Sequence, residues 1–176
     1  FSSISFTIDT SGPVISIDIP VTNNTNSSNT GLDVNFTRSD GRGIGACWYS
    51  NDTYLANTTL ANCANITSVV WSQGNHNVTV WANDTLGNEA QDSISFTIDI
   101  INPSLNITFP INNTNYTDTG LDVNFTRGDT NFLESCWYSN DTYLVNTTIS
   151  NCANITGVTW SEGFHNVTIW VNDSAG

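Results

Sequence analysis

Four cysteines and two histidines are the side chains best suited to chemistry in this chain, and each has a twin. Cys47 and Cys63 lie 16 residues apart, as do Cys136 and Cys152, while His76 and His165 hold matching places in a duplicated sequence. A structural zinc site needs four convergent nitrogen or sulfur ligands, and two Cys with one His per copy do not supply them. The repeat instead favours one disulfide within each copy, Cys47 with Cys63 and Cys136 with Cys152. A loop of that size should stabilise by about 3 kcal/mol through chain entropy, and a disulfide implies an oxidising, extracellular compartment. Catalysis by either His requires a partner nucleophile or carboxylate in a unique constellation. Duplication of the same His in both copies is better explained by structure, so no catalytic residue and no enzyme activity is expected.

The second chemical group is the asparagine amide. Asn-x-Ser/Thr, the acceptor motif for N-linked sugars on surface segments of secreted proteins, occurs 17 times. The first copy carries it at Asn23, Asn26, Asn35, Asn51, Asn57, Asn65, Asn77 and Asn83. The second carries it at Asn106, Asn112, Asn115, Asn124, Asn140, Asn146, Asn154, Asn166 and Asn172. With 26 Asn and 44 Ser or Thr in the chain, chance alone would give roughly 6 or 7 such motifs. Phase adds to the excess. In Asn35-Phe36-Thr37, Asn77-Val78-Thr79, Asn106-Ile107-Thr108 and Asn166-Val167-Thr168 the central residue is apolar. On a strand of period two, each would turn its sequon to solvent and its apolar residue to the core. Covalent N-glycans over most faces of the molecule are the expectation.

These groups must be positioned by short strands. Residues 3–9 recur at 93–99, 31–38 at 120–127 and 47–50 at 136–139, an offset of 89 or 90 residues. Such a period marks tandem modules. Alternating apolar segments bounded by Gly, Asn, Asp, Ser and Pro predict strands at 14–19, 32–37, 46–50, 54–60, 66–71, 77–83 and 93–98 in the first copy. The second repeats six of them, at 105–109, 121–126, 135–139, 143–149, 155–160 and 166–172. Helical periodicity is absent, so the chain reads as all-β, two tandem sandwiches. The expected division is an N-terminal strand in 1–10, a first domain in 11–99 and a second in 100–176. Pro13 and Pro103 open the two copies after short linkers, which should be stiff.

Composition removes several function classes. The chain has three Arg, no Lys and 16 acidic residues, a net charge of −13. Nucleic acid is thereby excluded as a partner, because that affinity depends on neutralising phosphates. No apolar run approaches the roughly 20 residues of a membrane-spanning helix. Without Lys, intramolecular Lys–Asn isopeptide links are impossible.

The run Gly74-x-His76-x-Val78-x-Val80-x-Ala82-x-Asp84-x-x-Gly87-Asn88, followed by 93–99 and a Pro, resembles the end of the immunoglobulin-like tandem repeats of bacterial and archaeal cell-surface proteins. The resemblance implies an extracellular β-sandwich of the kind used in stalks, adhesins and fibres. The sequon density is similar to that of archaeal surface glycoproteins; the paired Cys and sequons depart from the bacterial members. It also implies that Asp84, Asn88 and Asp99 stand where related repeats can bind calcium at domain junctions; turn chemistry is the competing reading. Trp81 and Trp170 are expected to face outward beside sequons, with Trp48 and Trp137 in or near the core. Arg127-Gly128-Asp129 spells an integrin-binding tripeptide in an expected loop, but the first copy has Arg38-Ser39-Asp40 there.

The second copy stops short. Its final Gly176 aligns with Gly87, so it has no equivalent of 93–98, whereas a spare version stands at 3–8. A sandwich without its last strand exposes an edge and a groove over its core. Leu105, Ile107, Phe109, Val167 and Ile169 are the expected walls of that groove, and Ile4, Phe6 and Ile8 the side chains that would fill it. Donated between identical subunits, such a strand would propagate an open head-to-tail homopolymer. Two alternatives remain at this stage. In one, the chain is a slice of a giant tandem adhesin or stalk with covalently continuous repeats. In the other it is a carbohydrate- or partner-binding surface module built around its Trp residues.

Overall fold

The computed structural model describes residues 1–131, 133–141 and 143–176. The chain forms two compact units, Phe1–Ile100 and Ile101–Gly176.

In the first unit, seven strands make two sheets. Strands β1 (Val14–Ile19) and β3 (Asn35–Ser39) pair antiparallel. The other sheet has the order β2-β7-β6-β4-β5, from Thr25–Ser27, Glu89–Ile98, Gly74–Asp84, Ile44–Asn51 and Thr58–Leu60. Alternation explains the layering: on β6, His76, Val78, Val80, Ala82 and Asp84 are buried, with Trp81 and Asn83 between them partly exposed. The core gathers Val34, Phe36, Cys47, Ile66, Trp71, Val78, Val80, Ala82, Ile94, Phe96 and Ile98. Strand β7 contributes three of these large side chains, each worth about 1.5–3 kcal/mol when fully buried. Gly12, in the linker before β1, approaches the start of β7 so closely that a Cβ there would lie 2.7 Å from the Glu89 carbonyl oxygen.

The second unit repeats the plan with fewer strands: β8 (Ser104–Phe109) pairs β9 (Asn124–Gly128), and β11 (Thr147–Thr148), β10 (Leu133–Asn140) and β12 (Val167–Asp173) form a sheet in the order β11-β10-β12. In the first unit β6 lies between β4 and β7; its counterpart β12 is an edge. The core holds Val123, Phe125, Cys136, Ile149, Cys152, Ile155 and Ile169.

Several expected strands differ. The segments 66–71 and 155–160 are not strands; each makes one isolated bridge, Val34 with Ile66 and Val123 with Ile155. Trp71 is nonetheless buried, fixed by its backbone N–H on the Thr30 carbonyl and its indole N–H on the Leu32 carbonyl. The segments 54–60 and 143–149 are strands only at Thr58–Leu60 and Thr147–Thr148, after turns that hold Tyr54 and Tyr143 at positive φ. Residues 3–8 form no strand within the chain: they find no ladder partner, and Ile4, Phe6 and Ile8 are 87%, 78% and 76% exposed. Strand β2 is entirely polar and has no apolar alternation to mark it in the sequence. It pairs parallel to β7, and the corresponding stretch of the second unit, lacking such a neighbour, is irregular.

Candidate strand-acceptor edge and glycan acceptors

What β7 does for the first unit defines what β12 lacks. Strand β7 pairs β6 from Gly74↔Ile98 to Asn83↔Glu89, which places Ile94 opposite Val78 and Phe96 opposite His76. Phe96 packs edge-on against Trp71 with centroids 5.0 Å apart and lies 5.6 Å from the His76 ring. Covered in this way, Val78 and Val80 are fully buried. Their counterparts are less so. Val167, the counterpart of Val78, is only partly buried and Ile169, that of Val80, is 6% exposed. Trp160, the counterpart of Trp71, is partly buried, and the His165 side chain is 23% exposed against 6% for His76.

Of the expected groove walls, Leu105, Val167 and Ile169 share the second core. Ile107 and Phe109 depart from the expectation. Ile107 is 38% exposed, although its counterpart Ile17 packs on the first core. Phe109 turns to Tyr116, edge-on at 5.4 Å. Along β8 only Leu105 and Phe109 are partly buried, so the burial alternation breaks at Ile107.

Both disulfides are formed, Cys47–Cys63 with Cα atoms 5.0 Å apart and Cys136–Cys152 with 5.2 Å. Each closes onto a one-turn 3-10 segment, Ala61–Cys63 or Ser150–Cys152. The inward turn of Cys47 corrects one expectation. Neighbours on a strand face opposite ways, so Trp48 must point out of the core. It pairs there with Trp81, the rings 6.5 Å apart and within 5° of parallel. Trp137 and Trp170 repeat this at 6.4 Å and 9°.

The two histidines are structural ties. His76 Nδ1 lies 3.1 Å from an Asp52 carboxylate oxygen and Nε2 lies 2.8 Å from the Ser72 carbonyl. His165 repeats the pattern with Asp141 and Ser161 at 3.0 and 2.9 Å. The Ser161 carbonyl, and after it Asp141, hold the His165 imidazole above its ordinary pKa. The Asn166 backbone N–H, and after it His165, hold Asp141 below its own.

None of the 17 sequon asparagines is buried. The Thr142 that completes the Asn140 sequon lies outside the described residues. Phase holds at Phe36 and Val78, both buried, and fails at Ile107. Thr79, expected in solvent, is 1% exposed because Tyr54 and Ser93 cover it through hydroxyl contacts of 3.1 and 2.9 Å. Several acceptor amides also serve the fold through Oδ1. Asn65 and Asn154 accept from the Phe36 and Phe125 backbone N–H groups, and Asn83 and Asn172 from those of Ala46 and Ser135.

The carboxylates of Asp9, Asp40 and Asp84 converge, one ligand oxygen from each lying within 4.8 Å of the others. Asp99 is buried, and its Oδ1 accepts from the Gln73 amide at 2.8 Å. Asp84 also organises its own turn. Its Oδ1 accepts from Leu86 and Asn88 N–H, and its Oδ2 from the Asn88 amide. Burial alone would raise this carboxyl, but the bonds from Asn88, Leu86 and Gly87 outweigh it and hold the pKa below its ordinary value. Arg127 and Gly128 lie in β9, not in a loop, and the Arg127 guanidinium sits 5.9 Å over the Phe125 ring.

No helix is long and apolar enough to cross a membrane among the described residues. No protein-family profile matches the chain, and no curated protein matches it in sequence. Among solved structures, it is similar to the fibronectin(III)-like modules of CbhA from Clostridium thermocellum. The identity is 16%, over 92% of this chain and 87% of that one, with a TM-score of 0.51. At that identity the likeness concerns the fold, and the fold is an immunoglobulin-like, fibronectin(III)-type β-sandwich.

Proposed function

We propose that this chain is a structural, non-catalytic subunit of an extracellular N-glycosylated filament. Residues 3–8 of one copy add to the β12 edge of another. The observation that carries the reading is a matched pair of deficits. Ile4, Phe6 and Ile8 repeat the alternation of Ile94, Phe96 and Ile98 and stand exposed, while β12 is the edge where the first unit has β7. Transferring the β6–β7 register by the repeat offsets sets Ile4 opposite Val167 and Phe6 opposite His165. Phe6 would then cover Trp160 as Phe96 covers Trp71. Strand addition supplies backbone bonds for affinity and alternate side chains for register. Donor and acceptor are different segments, so the contact is heterologous and is propagated from copy to copy, as a fibre wherever the rotation between copies does not close a ring. The disulfides and the sequon excess fit an exterior location.

Two measurements test this. Phe6→Asp should leave folded, soluble subunits that form no fibre, because a lone charge cannot enter an apolar groove; fibres from that variant would overturn the proposal. Boiling deglycosylated native fibre in denaturant should release one chain of discrete, small size, to which these 176 residues contribute 19.1 kDa. Release of only a very large polypeptide favours the covalently continuous array, to which the near-equal repeat offsets also point.

A further inference from the structure

We propose that the outward aromatic cluster of each unit is a seat for the chain's own N-glycan: Trp48, Trp81 and Tyr54 for the sugar on Asn83, and Trp137, Trp170 and Tyr143 for the sugar on Asn172. The inference rests on the glycosylation reading and goes beyond it, naming which glycans are ordered and by what.

Placement comes first. Alternation sets Asn77, Thr79, Trp81 and Asn83 on one face of β6, and Asn166, Thr168, Trp170 and Asn172 on the matching face of β12. Two residues along a strand is about 7 Å, so a sugar leaving Asn83 has the Trp81 ring as its nearest apolar neighbour along the strand. Orientation is fixed as well. The Ala46 N–H holds Asn83 Oδ1 at 2.7 Å, and the Ser135 N–H and hydroxyl hold Asn172 Oδ1 at 3.0 and 2.6 Å. Each pinned amide leaves Nδ2, the atom that bears the sugar, as the end not engaged by the neighbouring strand.

The surface itself suits a sugar. In each unit two near-parallel indoles are met edge-on by a tyrosine, at 6.3 Å from Trp81 and 6.3 Å from Trp170. Both tyrosines are locked to sequon residues. Thr79 Oγ1 donates to the Tyr54 hydroxyl, and Asn166 Nδ2 and Thr168 Oγ1 converge on that of Tyr143. Large indoles left half-exposed on an otherwise polar strand face invite an amphipathic cover, and the C–H face of a pyranose is one. A protein partner would have to displace sugars from acceptors at both ends of this face. A tethered sugar is present at high effective concentration, which favours it over a free ligand.

The test uses the protein from its glycosylating source. Peptide mass spectrometry reports occupancy at Asn83 and Asn172. Acrylamide quenching then reads tryptophan access, since four of the six Trp lie in the two clusters. Thr85→Ala with Ser174→Ala removes both sequons and keeps the Asn. Asn83→Asp with Asn172→Asp removes them while keeping an oxygen for the Ala46 and Ser135 N–H groups. Thr114→Ala, which removes the Asn112 sequon from an exposed loop, is the control. Uncovering one face of the rings should raise the quenching constant about twofold in both double variants and leave the control unchanged. Unchanged quenching in glycan-free double variants overturns the seat. So does protection that persists in them and grows with protein concentration, which assigns the clusters to a second copy. Bare Asn83 and Asn172 beside occupied sequons elsewhere overturn the seat and spare the coat; bare Asn throughout overturns both.

Discussion

Phe96 and Phe6 should respond oppositely to the same truncation. Phe96 is 1% exposed and sits edge-on to Trp71 and against His76. Cutting it to Ala removes a buried ring and leaves a cavity, at a cost of about 3–5 kcal/mol to the first unit. Phe6 has the same sequence neighbours but is 78% exposed, so Phe6→Ala should change monomer stability by no more than about 0.5 kcal/mol. Under the proposed strand donation the ring would fill in the fibre the position that Phe96 fills, and the loss would reappear as subunit affinity. A loss of about 3 kcal/mol corresponds to roughly a hundredfold weaker association. Urea unfolding followed by tryptophan fluorescence gives the first pair of values, and the critical concentration for fibre formation gives the second. The reasoning fails if Phe6→Ala shifts that concentration less than tenfold while Phe96→Ala behaves as stated, or if Phe6→Ala destabilises the isolated monomer.

Other outcomes follow from the same geometry. Replacing Cys136 and Cys152 by Ala should cost the second unit about 3 kcal/mol, seen as an earlier urea midpoint, with a fold still detectable by circular dichroism. The second unit should also have a two-sided pH profile. His165 has a raised pKa, so its contribution is complete below about 6.5 and lost as pH rises through the folded value. Asp141 is lowered from 3.8, so its contribution is present above that value and lost as pH falls through the folded one. His165→Gln should flatten the alkaline limb of the melting-temperature profile; an unchanged limb refutes the assignment. Asp84→Asn should weaken the turn before β7 at neutral pH and less so at strongly acid pH, as read by hydrogen exchange at Leu86 and Asn88.

Much of the fold was legible because its signals were local. Equal Cys spacing marked the disulfides, and period-two alternation marked β1 to the residue and the bodies of β4, β6 and β7, whose N-terminal ends begin two to four residues before the expected starts. What escaped depended on neighbours. The segment 66–71 is apolar yet irregular, because Ile66 and Trp71 are buried by single anchoring bonds to Val34, Thr30 and Leu32 rather than by a ladder. Strand β2 is polar and exists because β7 lies beside it. At Trp48 phase overrides hydrophobicity: with Cys47 turned into the core, its neighbour faces out. The pairing of Asp84 with Asp9 and Asp40 brings together residues from three separate segments, which spacing alone does not show. Ile107 is exposed and Trp160 only partly buried, whereas Ile17 packs on the first core and Trp71 lies within it, a difference that the residue types themselves do not carry.

Strand donation is tested most directly by a cross-link in register. Thr97 pairs with Asn75 in the first unit, so the repeat offsets set Thr7 of one copy opposite Phe164 of another. Chains carrying Thr7→Cys, mixed with chains carrying Phe164→Cys and oxidised under native conditions, should give a covalent heterodimer. A pair displaced by two residues, Ser5→Cys with Phe164→Cys, should give far less. Efficient linkage of the displaced pair, or no heterodimer from the matched one under fibre-forming conditions, would contradict the account.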